Sequence, residues 1–421
     1  MNKHFTLYIL AAMFLGVIVG WAIFEFVPDA AGQQQWADNF KIVTDVFLRL
    51  IKMIIAPLVF ATLVAGIAHF GDTSALGRVG LKTMGWFLAA SLLSLTLGAV
   101  IVSLLQPGVG LGLPLPPIDA TSGLKTSEFT LRDFITHLVP KSIVEAMANN
   151  EILQIVIFSI FFGVAVAALG EQGKPLAHLA ELVSQAMLKL TGYVMSVAPI
   201  AVFAAVAAVI ATKGLGILIT YGAFIGGFYL ALAILWILLL GAGFAVIGPS
   251  IGKLIARIRE PTMLAFSTAS SEAAYPKTME QLEKFGVSRK ISSFVLPLGY
   301  SFNLDGSMMY CTFATLFIAQ AYGIQLNLTQ IATMLLLLMV TSKGMAGVPR
   351  ASLVVIAATL SFFKIPEGGI LLILAVDHFL DMGRSATNVV GNSVATAVVA
   401  KWEGELGADE GDTIVGKATA S

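Results

Sequence analysis

The chain has 421 residues, 57% hydrophobic and only 12% charged, with a formal net charge of zero and a mean hydropathy of +0.88. Soluble domains carry about twice that charged fraction, which excludes a soluble enzyme with one anchor and predicts an all-α polytopic membrane protein. Zero net charge leaves no basic footprint for nucleic acid, and the single Cys311 rules out an intrachain disulfide.

Apolar runs long enough to cross a bilayer occupy 5–26, 41–70, 84–106, 150–170, 186–212 and 216–248, with further stretches at 288–323, 328–364 and 367–401. The first follows Lys3, as a signal peptide would. Its apolar core exceeds the usual ~7–15 residues, so a retained helix is expected. Lys3, then Arg78 and Lys82, then Lys174, then Lys253, Arg257 and Arg259, then Lys277, Lys284, Arg289 and Lys290 fall on alternate connections, whereas 27–40 and 107–130 are poor in Lys and Arg. This asymmetry predicts a cytoplasmic N-terminus. Eight full spans return the C-terminus to the same side, and the polar stretch from Glu403 to Ser421 is expected to be loose.

Two stretches do not read as simple spans. Between Leu254 and Phe285 the apolar pattern breaks at Ser267–Ser271 and again at Pro276. Between Ile331 and Phe363 it breaks at Ser342–Arg350. Each predicts a hairpin that enters the membrane and returns, because irregular backbone at that depth must be buried in protein or line a cavity. Each also precedes a long apolar helix with a polar cluster. Interrupted segments paired in this way point to an inverted repeat with a midplane binding site.

The polar clusters carry the chemistry. Asp377, Asp381, Arg384, Ser385, Asn388 and Asn392 interrupt the apolar run Leu371–Ala400 and share an arc of roughly 100° on one helical face. An ionised group at bilayer depth costs about 2.5–3.5 kcal/mol on insertion scales, so this stripe predicts a solute or ion site. The run Asn303-Leu304-Asp305-Gly306-Ser307 favours leaving helical geometry, which frees carbonyl oxygens that suit a hard cation beside Asp305; a plain helix kink is the alternative. Ser270 and Ser271 offer hydroxyls and N–H groups for a carboxylate, or form an ordinary small-residue turn. Glu272 beside them is a candidate protonatable group, or a side chain facing a water-filled vestibule. Arg384 can grip a carboxylate with two parallel hydrogen bonds, or pair silently with Asp381 three residues back. His378 points off the stripe and reads as a packing residue. Cys311 sits in an apolar stretch as a small hydrophobe.

These motifs, with Ala346-Gly347-Val348-Pro349 and Asp377-(x)3-Asp381-Met382-Gly383-Arg384-Ser385-(x)2-Asn388-Val389-Val390-Gly391, resemble the dicarboxylate/amino acid:cation symporters over essentially the whole chain. The resemblance implies eight transmembrane helices plus two re-entrant hairpins, in a homotrimer working by an elevator movement. Scaffold helices would occupy 1–80 and 107–213. The transport domain would comprise 81–106 and 214–405, with hairpins near 250–285 and 328–364, followed by a cytoplasmic tail at 406–421. Arg384 would bind the substrate side-chain carboxylate and Asp381 its ammonium. Ser271, Ser385 and Asn388 would hold the α-carboxylate with backbone near Val348, and Ser270 and Ser307 would complete the substrate site. Asn303, Asp305 and Asp377 would form the cation-coupling region, and would be the ligands if sodium is bound. C4-dicarboxylate relatives typically lack an acid at Asp381, so Arg384 and Asp381 together imply L-glutamate or L-aspartate.

Three departures concern the coupling ion. Asn392 stands where sodium-driven members have Asp. Phe87 and Ala90 replace hydroxyl residues, although Ser91 remains. Glu272 replaces a serine, as in proton-coupled bacterial carriers. Fewer anionic and hydroxyl ligands weaken a sodium cage, whereas a buried carboxylate can carry a proton, so proton coupling is expected and sodium is the alternative. Cys311 occupies the place of the mammalian proton-carrying Glu, which leaves Glu272, Asp305 and Asp377 as carriers. Arg350 replaces a small residue and has no assigned role. No cofactor is expected. The five histidines, His4, His69, His137, His178 and His378, lack metalloprotease spacing, and no Walker A loop is present, so neither an enzyme nor a primary pump is expected. An anion channel alone does not need an Arg/Asp pair of substrate size.

Overall fold

A computed structural model describes residues 5–68, 73–110, 139–215, 221–342, 351–374 and 376–407, together with Leu115 and Thr136. The described residues are helical throughout, and their only extended pairing is one isolated bridge. The first half comprises α1 (Phe5–Phe26), α2 (Ala30–Ala68), α3 (Thr73–Leu105), α4 (Ile143–Ala148), α5 (Ile152–Ala168), α6 (Lys174–Met195) and α7 (Ala198–Lys213). The second comprises α8 (Gly222–Ile247), α9 (Ser250–Thr268), α10 (Ser271–Phe285), α11 (Arg289–Phe302), α12 (Asp305–Ala321), α13 (Leu328–Thr341), α14 (Ala351–Phe362), α15 (Ile370–Leu374) and α16 (Asp377–Trp402).

Among the described residues α1, α2, α3 and α8 are each long and apolar enough to cross a membrane. The expected run at 186–212 is instead bent by 52° between α6 and α7. Pro199 at the start of α7 explains the break: it has no N–H to donate backwards, and its ring crowds the preceding turn. Helices α1, α2, α5, α6 and α7 pack on one another, while α16 is surrounded by α8, α9, α10, α11 and α12. Helix α3 comes from the first half of the chain yet packs on α12 and α8. Its buried residues Ala90, Leu95, Ala99 and Val102 join an apolar core with Phe224, Phe228, Phe313 and Phe317.

The first expected interruption, at Ser267–Ser271, appears, with two differences. Helices α9 and α10 are joined only by Ala269 and Ser270 and pack on each other. Ala269 adopts a left-handed conformation (φ 51°, ψ 30°), and the Ser270 hydroxyl accepts from the Ala273 N–H to cap α10. Pro276 does not break the chain; α10 runs through it. Lys277 is no loop cation: its side chain is 3% exposed, 2.9 Å from Glu280 and 3.7 Å from Glu260. The second expected interruption, beyond Ser342 and with Val348 and Arg350 in it, falls outside the described residues.

The expected loose tail is held down over its first residues. Glu403 lies 2.9 Å from Arg78 and 2.7 Å from Lys82 of α3. Beyond it, the Ser288 N–H donates to the Glu405 carbonyl at 3.0 Å, the Gly407 N–H donates to the Gly286 carbonyl at 2.8 Å, and Val287 pairs with Leu406. Composition alone suggested solvent, but these backbone groups find partners in the α10–α11 turn, where Gly286 supplies a positive φ of 109°. Burial raises the Glu403 carboxyl, but hydrogen bonds from Arg78 and Lys82 outweigh it and hold the group below the usual carboxylate range. A lowered pKa contributes stability above the unfolded value of about 4.3 and loses it as pH falls through the folded value. Glu403→Gln is therefore expected to lower the melting temperature of the detergent-solubilised protein at pH 7. The gap to wild type should narrow as pH falls below the unfolded value of about 4.3 and vanish once pH passes below the lowered folded value. A gap independent of pH would show that the ion pairs contribute nothing.

Candidate functional site

Helix α16 starts later than the apolar run suggested. The chain breaks at Val376, which puts Asp377 in the first turn, where the helix dipole favours its charge. From Leu380 to Ala400 every residue of α16 is buried, including the whole polar stripe. In the sequence order expected, α11 ends at Asn303 (φ −127°, ψ 56°) and α12 begins at Asp305, with Leu304 also outside helical geometry. This break carries Asn303, Asp305 and Ser307 up to the stripe.

Two polar groupings result. In the first, Arg384 is 0% exposed, pairs through Nε with Asp381 and donates from Nη1 to Ser307 Oγ at 2.9 Å. Asn388 Nδ2 donates to Ser307 Oγ at 3.0 Å and to Ser271 Oγ at 3.5 Å. Its Oδ1 accepts the Gly306 N–H at 2.9 Å and the Ser307 N–H at 3.3 Å. Gly306 is required there, because a Cβ would lie 2.8 Å from both the Arg384 Cα and the Thr387 Cβ. Ser385 Oγ is buried with no hydrogen-bond partner among the described residues. Arg384, Asp381, Ser307, Ser271 and Asn388 thus form one connected network drawn from α10, α12 and α16. Such a network can orient a small anion: a guanidinium for a carboxylate, a carboxylate for an ammonium group, and hydroxyl and amide groups around them.

The second grouping lies further along α16. Asn303 Nδ2 donates to Asp305 Oδ2 at 3.1 Å and to Asn392 Oδ1 at 3.2 Å. Asn303 Oδ1 and Asn392 Nδ2 have no hydrogen-bond partner among the described residues. Asp305 is the acid of this grouping, and its carboxylate packs so closely on Gly391 that no side chain fits there. Asp377, in the first turn of α16, accepts the Tyr310 hydroxyl at 2.7 Å.

Several expected residues sit elsewhere. Ser91 donates to the Phe87 carbonyl of its own helix at 2.6 Å, and Ser94, one turn on, reaches Asp305 Oδ1 at 3.3 Å. Ser270 caps α10, and Glu272 is partly exposed in the first turn of that helix. His378 lies edge-on to Phe379. Cys311 is buried with its Sγ 3.9 Å from the Ser352 carbonyl. Sequence reasoning missed Ser94 and Tyr310. Tyr310 lies three residues beyond Ser307, on the same face of α12, and this spacing was the available signal. Ser94 had none, because only the packing of α3 on α12 brings it to Asp305.

The sodium:dicarboxylate symporter family model matches residues 5–402. This chain belongs to that family. The C4-dicarboxylate transport protein of Laribacter hongkongensis is 40% identical over 413 residues, spanning 97% of this chain and 91% of the relative. That of Geobacter sp. strain M21 is 41% identical over 411 residues, spanning 96% and 91%. The proton/sodium-glutamate symport protein of Geobacillus stearothermophilus is 38% identical over 418 residues, spanning 98% of each. This member therefore shares a family with transporters named for dicarboxylates and for glutamate.

Proposed function

We propose that this chain imports L-glutamate or L-aspartate together with protons, as a homotrimer in the plasma membrane with both termini cytoplasmic. The observation that carries the substrate assignment is the buried pairing of Arg384 with Asp381. An amino acid with an acidic side chain offers one carboxylate for the guanidinium and an ammonium for Asp381, whereas a C4-dicarboxylate leaves Asp381 facing a second anion. The moving unit would comprise α3 and α8–α16, carried past a scaffold of α1, α2 and α5–α7, with α9–α10 and α13–α14 as re-entrant hairpins. Packing of α3 against α12 and α8 supports assigning it to the moving unit.

The Asn303–Asp305–Asn392 grouping supports the proton. It brings one carboxylate and two amides together. One charge with few oxygen donors is a poor cage for sodium, which prefers an anionic oxygen shell, whereas a carboxylate in a dry site can exchange a proton. Sodium coupling is the alternative within the same site. The deciding measurement is L-aspartate uptake into proteoliposomes driven by an inward proton gradient without sodium. Concentrative uptake supports the reading, and uptake only under a sodium gradient overturns the coupling ion while leaving the site. Asn392→Asp adds the missing carboxylate beside Asn303 and Asp305 and is expected to introduce a sodium response in that assay. An active variant indifferent to sodium would show that other ligands limit the site.

A second reading, proton-coupled C4-dicarboxylate transport, is favoured by the names of the 40–41% identical relatives. Succinate added to the same assay separates it from amino acid transport.

A further inference from the structure

The face of α16 opposite its polar stripe is gripped by α8. Tyr229 donates its hydroxyl to the Phe379 carbonyl at 2.7 Å. Two turns further along, Trp236 Nε1 donates to Thr387 Oγ1 at 2.8 Å. Thr387 in turn donates to the Gly383 carbonyl at 2.9 Å. Phe379, Gly383 and Thr387 follow one another at four-residue spacing, as do Tyr229, Leu232 and Trp236 at three and four, so each set forms one ridge along its helix. Between the two bonds Gly383 lets the helices touch: a Cβ there would stand 2.8 Å from Leu232 Cδ1 and 3.0 Å from the Tyr229 ring. On its other side α16 is pressed by Gly306 against the Arg384 backbone. Ridge packing alone tolerates sliding and rotation, whereas two directional donors 7 residues apart on α8 define one register.

We infer that Tyr229 and Trp236 are positioning residues for the substrate site. Their hydrogen bonds set the rotation and axial position of α16, and so the distance and angle at which Arg384, Asp381 and Asn388 meet a ligand held by Ser307 and Ser271. The inference rests on the proposed role of Arg384 as ligand anchor. The two bonds go to Phe379 and Thr387, which lie outside the ligand network, so each side chain acts through the helix it holds.

The test is uptake kinetics of Tyr229→Phe, Trp236→Phe and Thr387→Val, singly and in pairs, in proteoliposomes loaded with equal protein. The substrate is whichever of L-aspartate, L-glutamate and succinate the wild type concentrates. If that is succinate alone, the amino acid reading fails while the positioning test proceeds unchanged. Each single variant is expected to raise KM about fivefold, the scale of one lost hydrogen bond. The pair Trp236→Phe with Thr387→Val removes the same bond twice and should be no worse than either alone, whereas Tyr229→Phe with Thr387→Val should be worse. A purely stabilising role lowers yield or melting temperature and leaves KM unchanged, and that result would overturn the inference. Tyr229→Phe and Thr387→Val preserve shape, so they decide the question even if Trp236→Phe fails to fold.

Discussion

Arg384→Cys is expected to abolish uptake of acidic amino acids, with a loss of at least about a hundredfold in kcat/KM, as charge-assisted bidentate bonds to a carboxylate imply. The guanidinium is fully buried and bridges Asp381 and Ser307, so no neighbouring cation in the network can replace it. Its removal also leaves Asp381 buried opposite a thiol, which makes the site net negative and hostile to a second carboxylate. The same change frees the volume of a large side chain beside an acid suited to an ammonium group, so neutral amino acids become candidate substrates. Radiolabelled L-glutamate and L-serine uptake by the reconstituted variant measures both effects. Glutamate uptake at the wild-type rate would remove Arg384 from the substrate site.

Asp381→Ser should divide the substrates. An amino acid loses the partner for its ammonium group, whereas a C4-dicarboxylate loses only a repulsive neighbour. The ratio of L-aspartate to succinate uptake is therefore expected to fall about a hundredfold, the scale of one charged hydrogen bond in a dry site. Arg384 Nε is released from its present partner in this variant, so total transport need not collapse. Competition of unlabelled succinate against labelled aspartate measures the ratio directly. Equal loss of both activities would show that Asp381 merely holds Arg384 in place, the silent ion pair that its spacing equally allows.

The contrast between these two residues shows how far the chain reads by itself. Arg384 and Asp381 are visible in sequence because charges three apart in an apolar helix carry an insertion cost that demands a reason. The departure from helix at Asn303–Leu304 was equally visible, since Asn and Gly beside a carboxylate favour leaving helical geometry, and both residues do so. The tail from Glu403 failed the same logic: polar composition suggested solvent, yet the segment docks on α3 and on the α10–α11 turn. Pro276 failed it too: α10 starts at Ser271 and continues through the proline in its second turn.

Sequence by itself determined the membrane class, the breaks at Ser267–Ser271 and at Asn303–Leu304, and the polar face of α16, because each follows from hydropathy, residue type and helical period within one segment. It also carried enough ordered motifs to mark the family. Only the tertiary structure decided which of those polar groups meet. Ser94 of α3 reaches Asp305, Tyr310 of α12 holds Asp377, and Trp236 binds Thr387 across 151 positions of sequence. These pairings depend on the rotation and register of whole helices. Packing sets that rotation through close approaches at Gly306, Gly383 and Gly391, where the absence of a side chain says nothing until the neighbouring helix is in place.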